Sequence, residues 1–384
     1  MEQSMKILIT GSNGFVGRNL CAHLEAMGYD NLLKYDRPDD ETVLQQYTSD
    51  CDFVFHLAGI NRPDDESDFA GNYLLTAVLL EALKKENRRI PVLMSSSVQA
   101  LLDNPYGRSK KKAEDLVLAY GRETQADFYI YRLPNVFGKW CAPNYNSAVA
   151  TFCHNTARGL PLRIDDPQSA LTLVYIDDVL NAFTAALQGE ALRNGDFCEV
   201  DPVYHTTVGS LVEIIRSFPQ SRENLTVPKV SDPLIRKLYS TYLSYLPEEE
   251  FRYPLLEHKD HRGLFAEALK SVDAGQVSVN ITKPGMVKAG HWHHTKTEKL
   301  IVVSGSGLIR FRRLGDEKLL LYPVSAERLE VLDIPPGYTH DILNTGSSDM
   351  VMLVWANQIF DPSNPDTHPA IVDPASSLPH LGGV

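Results

Sequence analysis

The chain has 384 residues, with 37 Lys and Arg against 49 Asp and Glu, for a formal net charge of −12. That balance argues against a nucleic-acid binder, which needs a basic face, and no run reaches the roughly 18–20 apolar residues of a membrane span. Hydrophobic residues at 43% and charged residues at 22% indicate a globular protein, long enough for two or three domains.

Residues 6–10 (KILIT) read as a first strand. Gly11-Ser12-Asn13-Gly14-Phe15-Val16-Gly17 follows directly and opens a helix over residues 18–27. A GxxGxxG turn between strand and helix lets backbone N–H groups approach a pyrophosphate, so it predicts dinucleotide binding. A second strand, residues 31–35, ends in Asp36-Arg37. The acid suits a ribose 2′-hydroxyl and NAD(H); the guanidinium suits a 2′-phosphate and NADP(H). NADP(H) is favoured, NAD(H) is the alternative, and a solvated surface pair is the plainer reading.

Strands over residues 53–57, 91–95 and 128–132 alternate with helical stretches at 72–83 and 109–120. This alternation predicts parallel βαβ units in a doubly wound α/β sheet. Ser95-Ser96-Ser97 ends one strand, and Tyr106-Gly-Arg-Ser-Lys110 begins a helix. Tyr106 and Lys110, four residues apart, share a helix face. The cation is expected to lower the phenol pKa and make Tyr106 a proton donor or acceptor, with a serine hydrogen-bonding a substrate oxygen.

These motifs resemble the extended short-chain dehydrogenase/reductase family over residues 5–245. The resemblance places His56-Leu57-Ala58-Gly59 along the cofactor and makes Asn72 a structural asparagine. It puts Arg132 and Asn135 of Arg132-Leu-Pro-Asn135-Val-Phe-Gly138 near a nucleotide sugar, with Tyr175-Ile-Asp-Asp178 closing the site. Ser96 and Ser97 are the candidates for its catalytic serine, Ser97 being preferred.

From residue 275 onward the texture changes to short strands punctuated by Gly, Pro and Asn, which predicts an antiparallel barrel or jelly roll. Residues 244–254 read as a linker. The predicted domains are therefore 1–247, a dinucleotide-binding reductase, and 248–384, an all-β domain. None of the five cysteines lies beyond Cys198, and none forms a CxxC pair. They fit unpaired thiols in a reducing cytoplasm, and residues 1–6 show no signal peptide. A metal site in the second half must then use His and carboxylate.

His291 and His293, two apart, point to one strand face, Glu298 follows a turn, and Pro335-Pro-Gly337-Tyr-Thr-His340 adds a third imidazole. Together they form a plausible divalent metal site, with Zn2+ preferred and other divalent metals possible. Both segments resemble the two motifs of the cupin family, although Leu329 stands where the second motif begins with Gly. The segment 260–267 is similar to the opening of cupin-type nucleotide-sugar epimerases.

Over nearly its whole length the sequence resembles the reductase–epimerases of capsular polysaccharide biosynthesis, the CapF type. The resemblance implies a zinc-binding homodimer of UDP-N-acetyl-L-fucosamine precursor synthesis. Its cupin domain epimerises carbon 3 of a UDP-2-acetamido-2,6-dideoxy-4-ketohexose. Its reductase domain reduces the 4-keto group with NADPH, giving UDP-2-acetamido-2,6-dideoxy-L-talose. Tyr338, Lys299 and Asp341 are candidate epimerase bases by proximity to the metal motifs, each more readily structural. The competing readings are a reductase whose cupin only binds or dimerises, and a cofactor-sensing regulator with a dead reductase site.

Overall fold

The computed structural model describes residues 4–37, 39–63, 65–255, 258–260, 263–265, 270–271, 275–358, 361 and 363–374. The epimerase-like opening at 260–267 therefore lies partly outside the described residues. By packing, the chain groups into two compact units, residues 1–148 with 170–206 and residues 149–169 with 207–384.

The first unit is built on a sheet in the order β2-β1-β3-β4-β5, from β1 (Ile7–Thr10), β2 (Leu32–Tyr35), β3 (Phe53–His56), β4 (Val92–Ser97) and β5 (Phe128–Leu133). These five pair in parallel, and Phe197–Cys198 and Arg193–Asn194 extend the edge. All four residues of β1 and of β3 are buried. A parallel strand covered on both faces needs that unbroken apolar run rather than alternation. The covering helices are α1 (Phe15–Ala26), α2 (Glu41–Asp50), α3 (Ala70–Lys85) and α4 (Pro105–Thr124). Asp40 caps α2 through the N–H groups of Thr42 and Val43, and Asn104 caps α4 through Gly107 N. The strand order reverses between β1 and β3, so a crevice opens at their carboxyl ends. The glycine turn and residues 57–59 stand there.

The second unit holds two antiparallel sheets. One runs Arg252–Pro254, Glu330–Ile334, Glu298–Ser304, Met350–Ala356, Gln276–Thr282. The other runs Leu319–Ser325, Ser306–Arg313, Tyr338–Asn344, Val287–Trp292, His368–Pro369. This is the expected jelly-roll barrel. Residues 149–169 and 207–247 group with it, so the packing division and the division expected at residue 247 are different cuts. The bonds that draw the later segment in are specific: Ser240 Oγ donates to Thr295 O at 2.8 Å, and Arg222 Nη1 to Asp333 Oδ2 at 2.7 Å.

Candidate functional sites

At the end of β1, Gly11 has φ +73°, and a Cβ there would stand 2.7 Å from Ala58 N. A Cβ on Gly17 would lie 2.1 Å from Gly11 O. Both positions therefore exclude any side chain. Gly14 begins α1 with no side-chain cap, so the first-turn N–H groups of Phe15, Val16 and Gly17 lack intrahelical acceptors and suit an anion. Asp36 holds the turn shut: its Oδ2 accepts from Asn13 N at 2.6 Å and its Oδ1 from Arg37 N at 2.8 Å. Gly11, Gly14, Asp36, Arg37 and the Leu57-Ala58-Gly59 segment line one cavity of about 1010 Å³. It is roomy enough for a dinucleotide.

Beside it stand Tyr106 and Lys110 on α4. The Tyr106 hydroxyl donates to Asn61 Oδ1 at 3.1 Å, and the Ser97 side chain stands beside it, favouring the ionised phenol. Lys110 is buried, donates to Ser95 O at 3.2 Å, and lies so close to Gly59 that a Cβ there would stand 3.1 Å from Nζ. Burial pushes the Lys110 ammonium down to about 8. Burial also pushes Tyr106 up to about 12 against the opposing pull of the Ser97 side chain. This corrects the expectation of a lowered phenol: desolvation prevails, and the ammonium is turned to a backbone carbonyl.

The two serines separate cleanly. Ser96 pairs with Arg132 across β4 and β5, and its Oγ donates to Glu114 Oε1 at 2.6 Å. Arg132 grips the same fully buried carboxylate twice, at 3.0 and 2.7 Å, and stacks on Phe197. Ser96 and Arg132 therefore serve a buried cluster and are not brought to Tyr106. Ser97, on the opposite strand face, is. Asn135 is exposed and donates to Thr172 O at 3.1 Å.

Beneath the cavity floor, His56 is 2% exposed. Its Nδ1 lies 2.8 Å from Thr10 Oγ1 and its Nε2 2.8 Å from Thr76 Oγ1. Thr76 gives its hydrogen to Asn72 O, so it accepts from Nε2–H, and Nδ1 accepts from Thr10. Burial, with the Lys110 charge adding to it, holds this imidazole down to about 3.

In the barrel, His291, His293, Glu298 and His340 each offer a ligand atom, and all four atoms lie within 4.8 Å of one another. Glu298 Oε2 is 3.7 Å from His293 Nε2 and 3.8 Å from His340 Nε2. His293 is fully buried, and its Nε2 has no hydrogen-bond partner. Its Nδ1 donates to Asp366 O at 2.7 Å, which fixes the tautomer with the Nε2 lone pair facing the cluster. Burial takes His291 down to about 4 and His340 well below its ordinary value. Three imidazoles and a carboxylate at this spacing fit a divalent ion, zinc above all.

Of the three candidate bases, strand alternation removes two from this side. Lys299 is next to Glu298 and points to the other face, where its Nζ meets Asp333 Oδ1 at 2.6 Å and the Tyr253 hydroxyl at 2.9 Å. Asp341 is next to His340 and is gripped by Arg310 at 2.8 and 2.7 Å. Tyr338 shares the His340 face, packed edge-on against Phe251, with burial raising it to about 12.

Asp366 is the residue that the sequence reading missed. Its carboxylate accepts from the backbone N–H of His294, Thr295 and Lys296 at 2.9, 2.8 and 2.7 Å, and from Thr295 Oγ1 at 2.9 Å. It does so from φ +38°, a region costly for a residue other than Gly. No local motif marks it; the only signal is an acid beside Thr367-His368 late in the chain.

Residues 7–198 match the NAD dependent epimerase/dehydratase family, and residues 258–368 match the polysaccharide biosynthesis C-terminal domain. The chain is 46% identical to UDP-2-acetamido-2,6-beta-L-arabino-hexul-4-ose reductase of Pseudomonas aeruginosa, over 95% of this chain and 98% of that one. It is likewise 46% identical to the crystal structure of the capsular polysaccharide assembling protein CapF from Staphylococcus aureus. That match has a TM-score of 0.67 and covers 96% of this chain and 100% of that one. UDP-glucose 4-epimerase of Thermotoga maritima shares the fold, at 23% identity and a TM-score of 0.50 over 56% of this chain and 83% of its own. Among the described residues no helix is long and apolar enough to cross a membrane. With both domains matched in this order, the chain belongs to the NAD dependent epimerase/dehydratase family, in the CapF-type form that carries a polysaccharide biosynthesis C-terminal domain.

Proposed function

We propose that the chain is a bifunctional nucleotide-sugar enzyme acting in the cytoplasm as a homodimer, with reductase chemistry in residues 1–247 and epimerase chemistry in residues 248–384. The observation that carries the reading is the pair of separate constellations: Tyr106 with Ser97 and Lys110 beside a dinucleotide-sized cavity, and three imidazoles with Glu298 inside the barrel. The proposed substrate is a UDP-2-acetamido-2,6-dideoxy-4-ketohexose, as the name of the Pseudomonas relative suggests. Its 4-keto group acidifies the carbon-3 proton, so that proton can leave and return on the other face through an enolate. Reduction of the same carbonyl then gives UDP-2-acetamido-2,6-dideoxy-L-talose.

NADPH, favoured by Arg37 at the cavity wall, would supply hydride to the carbonyl carbon. Tyr106 donates the proton to the carbonyl oxygen and Ser97 fixes that oxygen's position. Lys110 holds the Gly59 turn against the start of α4. His291, His293, Glu298 and His340 would hold a zinc ion, which supplies Lewis acidity or braces the barrel.

Tyr106→Phe should abolish NADPH oxidation yet leave solvent deuterium entering carbon 3; loss of both together would refute separate sites. Native protein should carry about one metal per chain by elemental analysis, lost in His291→Ala. The second reading, a barrel that only binds or dimerises, predicts that His291→Ala leaves deuterium exchange unchanged.

A further inference from the structure

The hydrogen of the Tyr106 hydroxyl goes to a side chain outside the Ser–Tyr–Lys set. Asn61 Oδ1 accepts it at 3.1 Å. Asn61 stands on the segment that follows β3, and neighbouring residues fix that segment to the start of α4. Asn72 Oδ1 accepts from Ile60 N at 2.7 Å, and its Nδ2 donates to Ile60 O and to Ser109 Oγ, both at 3.0 Å. Ser109 Oγ in turn donates to Tyr106 O at 2.8 Å. Gly59 lies against the Lys110 ammonium. Gly59 and Ile60 also line the cavity, so Asn61 sits where the cavity wall meets the phenol.

A phenol has one hydrogen to give. Ser97, beside the phenol oxygen, favours the phenolate. An amide carbonyl oxygen has no hydrogen to offer and favours the neutral phenol. The other groups facing Tyr106 are Tyr145, which also lines the cavity, the ring of Phe69 at 5.6 Å, and Lys110 one turn along α4. Asn61 is the side chain that takes the Tyr106 hydrogen.

We propose that Asn61 is a positioning residue that holds the Tyr106 hydrogen at the cavity edge until a substrate carbonyl takes its place. The inference rests on the reading of Tyr106 as the reductase proton donor. In that step NADPH would supply hydride to the carbonyl carbon while the π pair moves onto the carbonyl oxygen. That oxygen takes the Tyr106 hydrogen as a proton, and the phenolate left behind is reprotonated by water. A phenol whose hydrogen is already aimed at the cavity edge enters this sequence ready.

The test is the pH profile of kcat/KM for NADPH-dependent reduction by the full chain, which reports groups of the free enzyme. Asn61→Ala should move the alkaline limb down by about half to one pH unit, the size of one hydrogen bond to the neutral form. Asn61→Asp, the same shape with a negative charge, should move it up. Shifts of opposite sign support the proposal, because damage to packing lowers the rate without moving the limb in two directions. Limbs coincident with wild type in both variants overturn it. Tyr106→Phe is the separate control: reduction surviving in that variant refutes the reading of Tyr106 as the proton donor, whatever the Asn61 variants do.

Discussion

His56 should make the nucleotide-binding unit acid-labile, and the size follows from its surroundings. It is buried, its Nε2–H donates to Thr76, and its Nδ1 accepts from Thr10. Protonating Nδ1 would set a second donor against the Thr10 hydroxyl. The imidazole is held at about 3 when folded against an ordinary 6.5. Between those values the unfolded chain binds more protons than the folded one, so stability is full above pH 6.5 and lost as pH falls toward 3. Going from pH 7 to 4.5 should therefore cost roughly 2–3 kcal/mol from this residue alone. His56→Gln keeps a donor and an acceptor and cannot titrate. Hydrogen exchange at the β1 and β3 amides, corrected for intrinsic rates, reads this unit by itself. Opening free energy should fall with acid in wild type and hold far better in His56→Gln. Equal acid sensitivity in the two proteins would refute the argument.

Gly17→Ala should lose NADPH binding and lower Tm together, because its Cβ would stand 2.1 Å from Gly11 O. Gly14→Ala, whose Cβ meets only Gly11 O at 3.2 Å, should fold yet weaken NADPH in a fluorescence titration. Asp333→Asn leaves buried Lys299 and partly buried Arg222 without their shared carboxylate; urea unfolding should show a loss of about 3–5 kcal/mol. Adding Lys299→Met should recover part of that loss, and a purely additive double variant would contradict the coupling.

The sequence made legible what short-range patterns encode. The apolar residues of β1 and the glycine turn are local, and each sits where its pattern implied; the Tyr106–Lys110 spacing is local too and places both residues on the start of α4. The choice between Ser96 and Ser97 was not local. Both end one strand, and only the register against β5 sends Ser96 to Arg132 and Glu114. The same strand logic could have pruned the candidate bases earlier, since neighbours on a strand face opposite ways: Glu298 with Lys299, His340 with Asp341. The phenol of Tyr106 ran against expectation because a charge ladder read from spacing carries no information about burial. Asp366 and Asn61 stayed hidden for a different reason: each acts through a bond to a residue far along the chain.

The backbone around Asp366 has a consequence for how the chain can be cut. All four candidate ligands are in place by His340, and the last long barrel strand ends at Ala356. A protein shortened there would keep every ligand and most of the barrel. It would lose the carbonyl that sets the His293 tautomer and the carboxylate that pins three successive N–H groups after it. The strand His368–Pro369, paired to His291 and Trp292, would go as well. The tail is thus a latch on the ion site, and where the chain may be ended is decided by that latch rather than by the last ligand.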